Sequence, residues 1–154
     1  MRPIAVVVVS VLAAGMLAAC GDTKQKATEG GPVLASAQIR SAYETFFSGK
    51  TSISDRVAVL QNGPKFKAVV ASFANNPLAK NVSVKVDKVG SIALQGGTGT
   101  AGVVYTVKLG GTALPTQKGT AVLENGHWKV GSASLCKLVA LGGTTPVVCL
   151  YKKS

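Results

Sequence analysis

His127 is the one histidine in 154 residues, and the six Asp and Glu side chains are scattered, so few polar active sites can be assembled from this chain. A general base at His127 needs a partner to orient it, and the nearby carboxylate in sequence is Glu124. A solvent-facing turn histidine fits the same residues. Asp22 and Glu29 fall in a stretch with nothing to bury, Asp55 sits where a carboxylate supports a helix start, and Glu44, Asp87 and Glu124 stand apart. A paired acid and base would have to be built wholly by the fold. Gly97, Gly99 and Gly102 spell GxGxxG, but dinucleotide binding requires a following helix whose N-terminus holds the pyrophosphate. The residues that follow, VVYTVKL, read as a strand, which makes the glycines a loop between strands. Trp128 reads as a core or sheet-face residue rather than a ligand platform. No cofactor or metal site is expected, and no catalytic residue.

The cysteines carry more information. Met1-Arg2-Pro3 precedes Ile4 to Ala18, in which Ser10 is the only polar side chain, and this layout is that of an export signal. It ends in Leu17-Ala18-Ala19-Cys20, which resembles a bacterial lipobox, whose cysteine thiol receives diacylglycerol. Residues 1–19 are thus expected to be a lipoprotein signal peptide and Cys20 the lipidation site. An uncleaved membrane helix is the alternative, although about 18 apolar residues only just span a bilayer. Burial contributes on the order of 0.8 kcal/mol per methylene, so two or three acyl chains anchor a protein stably where one does not. Residues 20–32 have no apolar periodicity and read as a flexible tether, and 33–154 as a single domain.

Cys136 and Cys149 remain, an even pair in a chain that leaves the cytosol, and a disulfide between them is expected. Closing such a loop contributes about 3 kcal/mol in the chain-entropy model. A redox or metal-binding pair is the alternative, but the spacing is far from CxxC and further ligands are scarce.

These residues must be positioned by helices first and strands afterwards. Ser36 can cap a helix to about Phe47, with Ile39, Tyr43, Phe46 and Phe47 on one face. Ser52 with Asp55 three residues on gives a capping-box-like second start, with Val57, Val59 and Leu60 on the buried side. Pro64 suits the first turn of a third helix, which carries Phe66, Val69, Val70 and Phe73. After Pro77 the period changes to two. Val82, Val84 and Val86 start a strand extending to about Leu94, and Ala101, Val103, Tyr105, Val107 and Leu109 share one face of the next. A third strand runs from about Thr116 to Glu124, and Asn125-Gly126 is a strong hairpin signal leading into a fourth. Beyond Leu135 a short turn or helix to Leu141 and an extended segment are expected. The class is α+β, with helices packed on one face of a curved antiparallel sheet of about four strands.

Lys plus Arg number 17 against 6 Asp plus Glu; loss of Arg2 with the leader leaves a formal charge of +10. Arg40 and Arg56 are the only arginines left, and the basic residues are dispersed, which argues against nucleic-acid binding. A tethered cationic domain is instead drawn to anionic lipid headgroups or acidic envelope polymers.

The order of elements resembles the NTF2-like or cystatin-like cone, and residues 52–141 are similar to the C-terminal domain of the MTB12 low-molecular-weight antigens and related actinobacterial lipoproteins. The resemblance is carried by VAVLQNG at 57–63, NVSVKVDKV at 81–89, GTAGVVYTVKLGG at 99–111 and LENGHWKVGSASLCKLVAL at 123–141. It implies an exported, envelope-associated or shed, antigenic protein without established enzymatic activity. The lipobox and the Cys136 and Cys149 pair bring this chain nearer to the lipoprotein relatives. Three functional readings follow: a non-catalytic binding or interaction module on the outer face of the cell membrane, a carrier of a small hydrophobic or lipid ligand inside the cone, or an enzyme needing an Asp/His or Asp/Tyr pair within it. The first is the leading expectation and the carrier is the alternative.

Overall fold

The computed structural model describes residues 31–141, 143 and 145–150, so Cys20, the apolar leader and most of the expected tether lie outside it. Helix α1, Pro32–Phe47, starts earlier than the Ser36 cap suggests. Proline at the first helical position lacks only an N–H that would be unpaired there anyway, and its ring presets the helical φ, so Ser36 falls inside the helix. Ala35, Ile39, Ala42, Tyr43, Phe46 and Phe47 form its buried stripe. Helix α2, Ile53–Ala58, is capped by Ser52, whose Oγ accepts from the Asp55 N–H at 3.1 Å. A single 3-10 turn at Gly63–Phe66 follows Asn62 and leads into α3, Lys67–Ala74.

Five strands follow, β1 Val82–Gln95, β2 Thr98–Leu109, β3 Thr112–Ala113, β4 Gln117–Glu124 and β5 His127–Val130. They form an antiparallel sheet ordered β1-β2-β4-β5, with the two-residue β3 beside β2. Asn125 and Gly126 both hold positive φ, 53° and 77°, as a tight hairpin turn between twisted strands demands. Alternation along β2 puts Ala101, Val103, Tyr105 and Val107 on the inner face. On β1 the alternation holds only to Val86. The pairing register slips between Val86 and Lys88 and again between Val89 and Ile92, and such irregularities bend a strand and curl the sheet.

Helix α1 lies across the inner face of this curled sheet, in contact with both β1 and β5. Arg40 Nη1 donates to the Val86 carbonyl, and the Gly49 N–H donates to the Val82 carbonyl at 2.9 Å, so α1 runs antiparallel to β1. The outer edge of β5 is closed by the chain after α2: Val130 N–H donates to Val59 O at 2.8 Å and Gln61 N–H to Val130 O at 2.9 Å. Helix α4, Ser132–Leu141, begins before Leu135 and packs on β4. Beyond it the expected extended segment contains a 3-10 turn at Val147–Cys149, and Cys149 is bonded to Cys136 with the Cα atoms 5.5 Å apart. Apart from Ala79, the buried apolar residues from Ala35 to Leu135 join in one cluster.

Candidate apolar ligand site

The structure sets His127 directly opposite Glu124 in the β4–β5 ladder, while Asp55 and Asp87 lie on other elements. His127 is exposed on β5 beside a shallow hollow between α1, α2 and β5. Its neighbour in the hairpin, Glu124, is engaged elsewhere, with Lys129 Nζ at 2.9 Å and the Asn62 N–H donating to it at 3.3 Å. Asp55 serves its cap, and Asp87 accepts from the Thr106 hydroxyl at 2.7 Å. Gly97 belongs to the β1–β2 turn, while Gly99 and Gly102 lie within β2, so no helix follows them. Trp128 faces inward and is buried.

The interior of the cone is filled rather than hollow at its centre. Tyr43, Phe47 and Tyr105 cluster there, with the Tyr105 ring centroid 5.1 Å from that of Tyr43 and 5.3 Å from that of Phe47. The Tyr43 hydroxyl donates to the Thr120 carbonyl at 2.8 Å, and the Thr120 N–H donates to Ser134 Oγ at 2.9 Å. Burial pushes the Tyr43 phenol well above its ordinary range, outweighing the downward effect of the Ser134 hydrogen bond, and burial raises Tyr105 likewise. A neutral phenol hydrogen-bonded in this way ties α1 to β4.

Sequence reasoning missed Arg56, which is 2% exposed although α2 has only six residues. Its Nη2 donates to Ser48 O, at the end of α1, at 2.7 Å and its Nε to Thr51 O, just before α2, at 3.2 Å. Burial lowers its pKa from the ordinary value. The signal available in sequence was weak, a basic residue in the last turn of a short helix.

An apolar cup opens at the end of the cone where α1 finishes. Phe47, Phe73, Val82, Val107 and Leu138 form its walls, from α1, α3, β1, β2 and α4, and it encloses about 200 Å³. Leu78 and Leu114 stand at its rim, 62% and 41% exposed. Asn76 is the one polar residue in its lining. Such a surface offers no acid, base or metal ligand, but it can shelter a short apolar segment of a larger molecule, since drug-sized ligands need about 300–1,000 Å³.

Residues 32–146 match the model of a protein family described as "Low molecular weight antigen MTB12, C-terminal domain". The chain belongs to the MTB12 C-terminal-domain family. The MTB12 span takes in every residue of the cup and the whole sheet, but ends before Cys149, so the disulfide ties a segment beyond it back onto α4. Among curated proteins, none matches this sequence. A calcium/calmodulin-dependent protein kinase type II association domain from Thiobacillus denitrificans ATCC 25259 is similar in structure at 17% identity, covering 64% of this chain and 88% of that one with a TM-score of 0.45.

Proposed function

We propose that this MTB12-family protein is an exported, lipid-anchored module of the cell envelope, without catalytic activity, which binds a partner through an apolar group held in the cup. The observation that carries the binding part is the cup itself, a concavity of aliphatic and aromatic walls with two exposed leucines at its rim. Isolated exposed leucines need no explanation, but two beside one apolar hollow suit a contact surface. The anchoring part rests on the apolar leader and the LAAC sequence ending at Cys20. Acylation there would hold the domain at the outer face of the cell membrane. The non-catalytic part rests on the engagement of Glu124, the carboxylate directly opposite His127 in the β4–β5 ladder, by Lys129 and the Asn62 N–H.

The test uses the chain from Gly21 onward, produced in an oxidising compartment, titrated with the fluorescent polyene cis-parinaric acid. Saturable enhancement that is lost in Leu114→Asp supports binding in the cup; absence of enhancement, or enhancement indifferent to Leu114→Asp, refutes it. A second reading, attraction to acidic envelope polymers without any apolar contact, is favoured by the exposed lysines Lys85, Lys88, Lys108 and Lys118 on the outer sheet face. Retention on anionic liposomes that weakens with salt, and that Leu114→Asp leaves unchanged, would select it.

A further inference from the structure

The cup does not stand by itself at its end of the cone. Immediately beside it is a polar slot lined by Ser48, Lys50, Lys80, Asn81, Ser83 and Gly110, and Val82 belongs to the walls of both hollows. The two share their lining elements turn by turn: Phe47 faces the cup and Ser48 the slot, Ala79 the cup and Lys80 the slot, Leu109 the cup and Gly110 the slot.

The backbone that separates the hollows is held closely. The Gly49 N–H donates to Val82 O at 2.9 Å and the Gly110 N–H to Asn81 O at 3.0 Å. A Cβ on Gly49 would lie 2.2 Å from the Lys80 carbonyl oxygen, so only glycine lets the α1–α2 connection pack against the residue bearing that lysine. Lys108 stands opposite Ser83 in the β1–β2 ladder and adds a third cation nearby. The ion pairs among the described residues are Lys85 with Asp87 and Lys129 with Glu124, so neither Lys50 nor Lys80 is neutralised by one. Of the carboxylates flanking this turn, Glu44 is on the exposed side of α1 and Asp55 accepts from the Ser52 hydroxyl at 2.7 Å.

From this juxtaposition we propose that the ligand is an anionic amphiphile, with its alkyl chain in the cup and a phosphate or carboxylate head on Lys50 and Lys80. The inference rests on the cup being a binding site and adds the identity of the head. An apolar hollow alone selects chain over water but not one amphiphile over another. Two lysines in the adjoining slot supply the discrimination, because an ammonium pairs with an anion and gains nothing from an uncharged sugar. The small cup volume fits this division, with the chain only partly sheltered and the head contributing the rest.

The test is isothermal titration of the chain from Gly21 onward with octyl phosphate, octanoate and octyl glucoside, all below their micellar concentrations. Octyl phosphate or octanoate should bind about tenfold or more tightly than octyl glucoside, the gain expected of one charge-assisted contact. Lys50→Ala/Lys80→Ala should remove that preference while leaving octyl glucoside unchanged, and Leu114→Asp should weaken all three. The phosphate and carboxylate arms rank the two head chemistries. Equal affinity for charged and neutral probes, or a preference that survives Lys50→Ala/Lys80→Ala, overturns the head assignment while the cup stands. If no probe binds, or if Leu114→Asp changes none of them, the cup reading itself fails, and the head assignment with it.

Discussion

The Tyr43 hydroxyl occupies the space that a side chain at Gly119 would need: a Cβ there would lie 2.5 Å from it. The same Cβ would meet Ser134 Oγ at 2.7 Å and the Tyr105 ring at 3.0 Å. Gly119 therefore opens β4 so that α1 can tie its central tyrosine to the Thr120 carbonyl.

Gly119→Ala should destabilise the domain by about 1–3 kcal/mol, the cost of overpacking a filled interior. Tyr43→Phe should cost about 1 kcal/mol through the lost hydrogen bond. In the double variant the closest of the three contacts goes with the hydroxyl while those to Ser134 and Tyr105 stay, so the loss should be smaller than the sum of the two singles but not vanish. Urea unfolding of the four proteins measures this directly, and strict additivity would show that the two residues do not share the space.

Alkaline stability follows from the same phenols. Tyr43 and Tyr105 are held above their ordinary value of 10.0 in the fold, so the unfolded chain ionises first. Their contribution is fully present below pH 10 and is lost as pH rises from there towards the folded values, by about 1.4 kcal/mol per pH unit for each phenol. Unfolding free energy measured from pH 9 to 11 should therefore fall less steeply in Tyr43→Phe than in the parent chain. Parallel slopes would contradict the assignment.

Arg56 ties the two ends of the α1–α2 connection through the Ser48 and Thr51 carbonyls, and its planar fork suits that geometry where an ammonium does not. Arg56→Lys should lose about 1.5–3 kcal/mol, the range for hydrogen bonds to charged groups. Chemical denaturation checks it; an unchanged midpoint would mean that the two bonds contribute nothing net.

The Cys136–Cys149 bond spans a sequence separation of 13. Replacing both by serine should lower stability by about 3 kcal/mol. The parent chain treated with reductant should fall to the same level, and a variant as stable as the oxidised parent would contradict a structural role.

Lipid attachment at Cys20 is tested by fractionation. The full-length chain should partition with membranes and carry the added mass of an acylated cysteine at its N-terminus. Cys20→Ala should abolish that mass and leave the leader uncleaved. A Cys20→Ala protein that is still processed at the same site would contradict the lipobox reading.

Local chemistry was legible in the sequence where one or two residues decide the outcome. Ser52 with Asp55 set the start of α2, and Asn125-Gly126 set the β4–β5 turn, because each depends on bonds or dihedrals within a few residues. The alternation of β2 named its inner face correctly, since Val103, Tyr105 and Val107 are all buried. The start of α1 was misread because Ser36 and Pro32 are both helix-start signals and the proline prevails. The register slips of β1, the burial of Arg56 and the Tyr43–Gly119 fit depend on partners distant in sequence, which periodicity does not report. The cup belongs to the same class: Phe47, Leu78, Val107 and Leu138 have no motif in common, and only the curl of the sheet under α1, α3 and α4 brings them together.

The most direct measurement is native mass spectrometry of the chain from Gly21 onward, exported by an actinobacterial host on a cleavable secretion signal and purified without detergent. A reproducible adduct that organic solvent releases, and that Leu114→Asp loses, is the predicted result. A clean unliganded mass from several preparations, with no adduct formed on incubation with host lipid extract, would contradict the claim that the cup holds an apolar ligand.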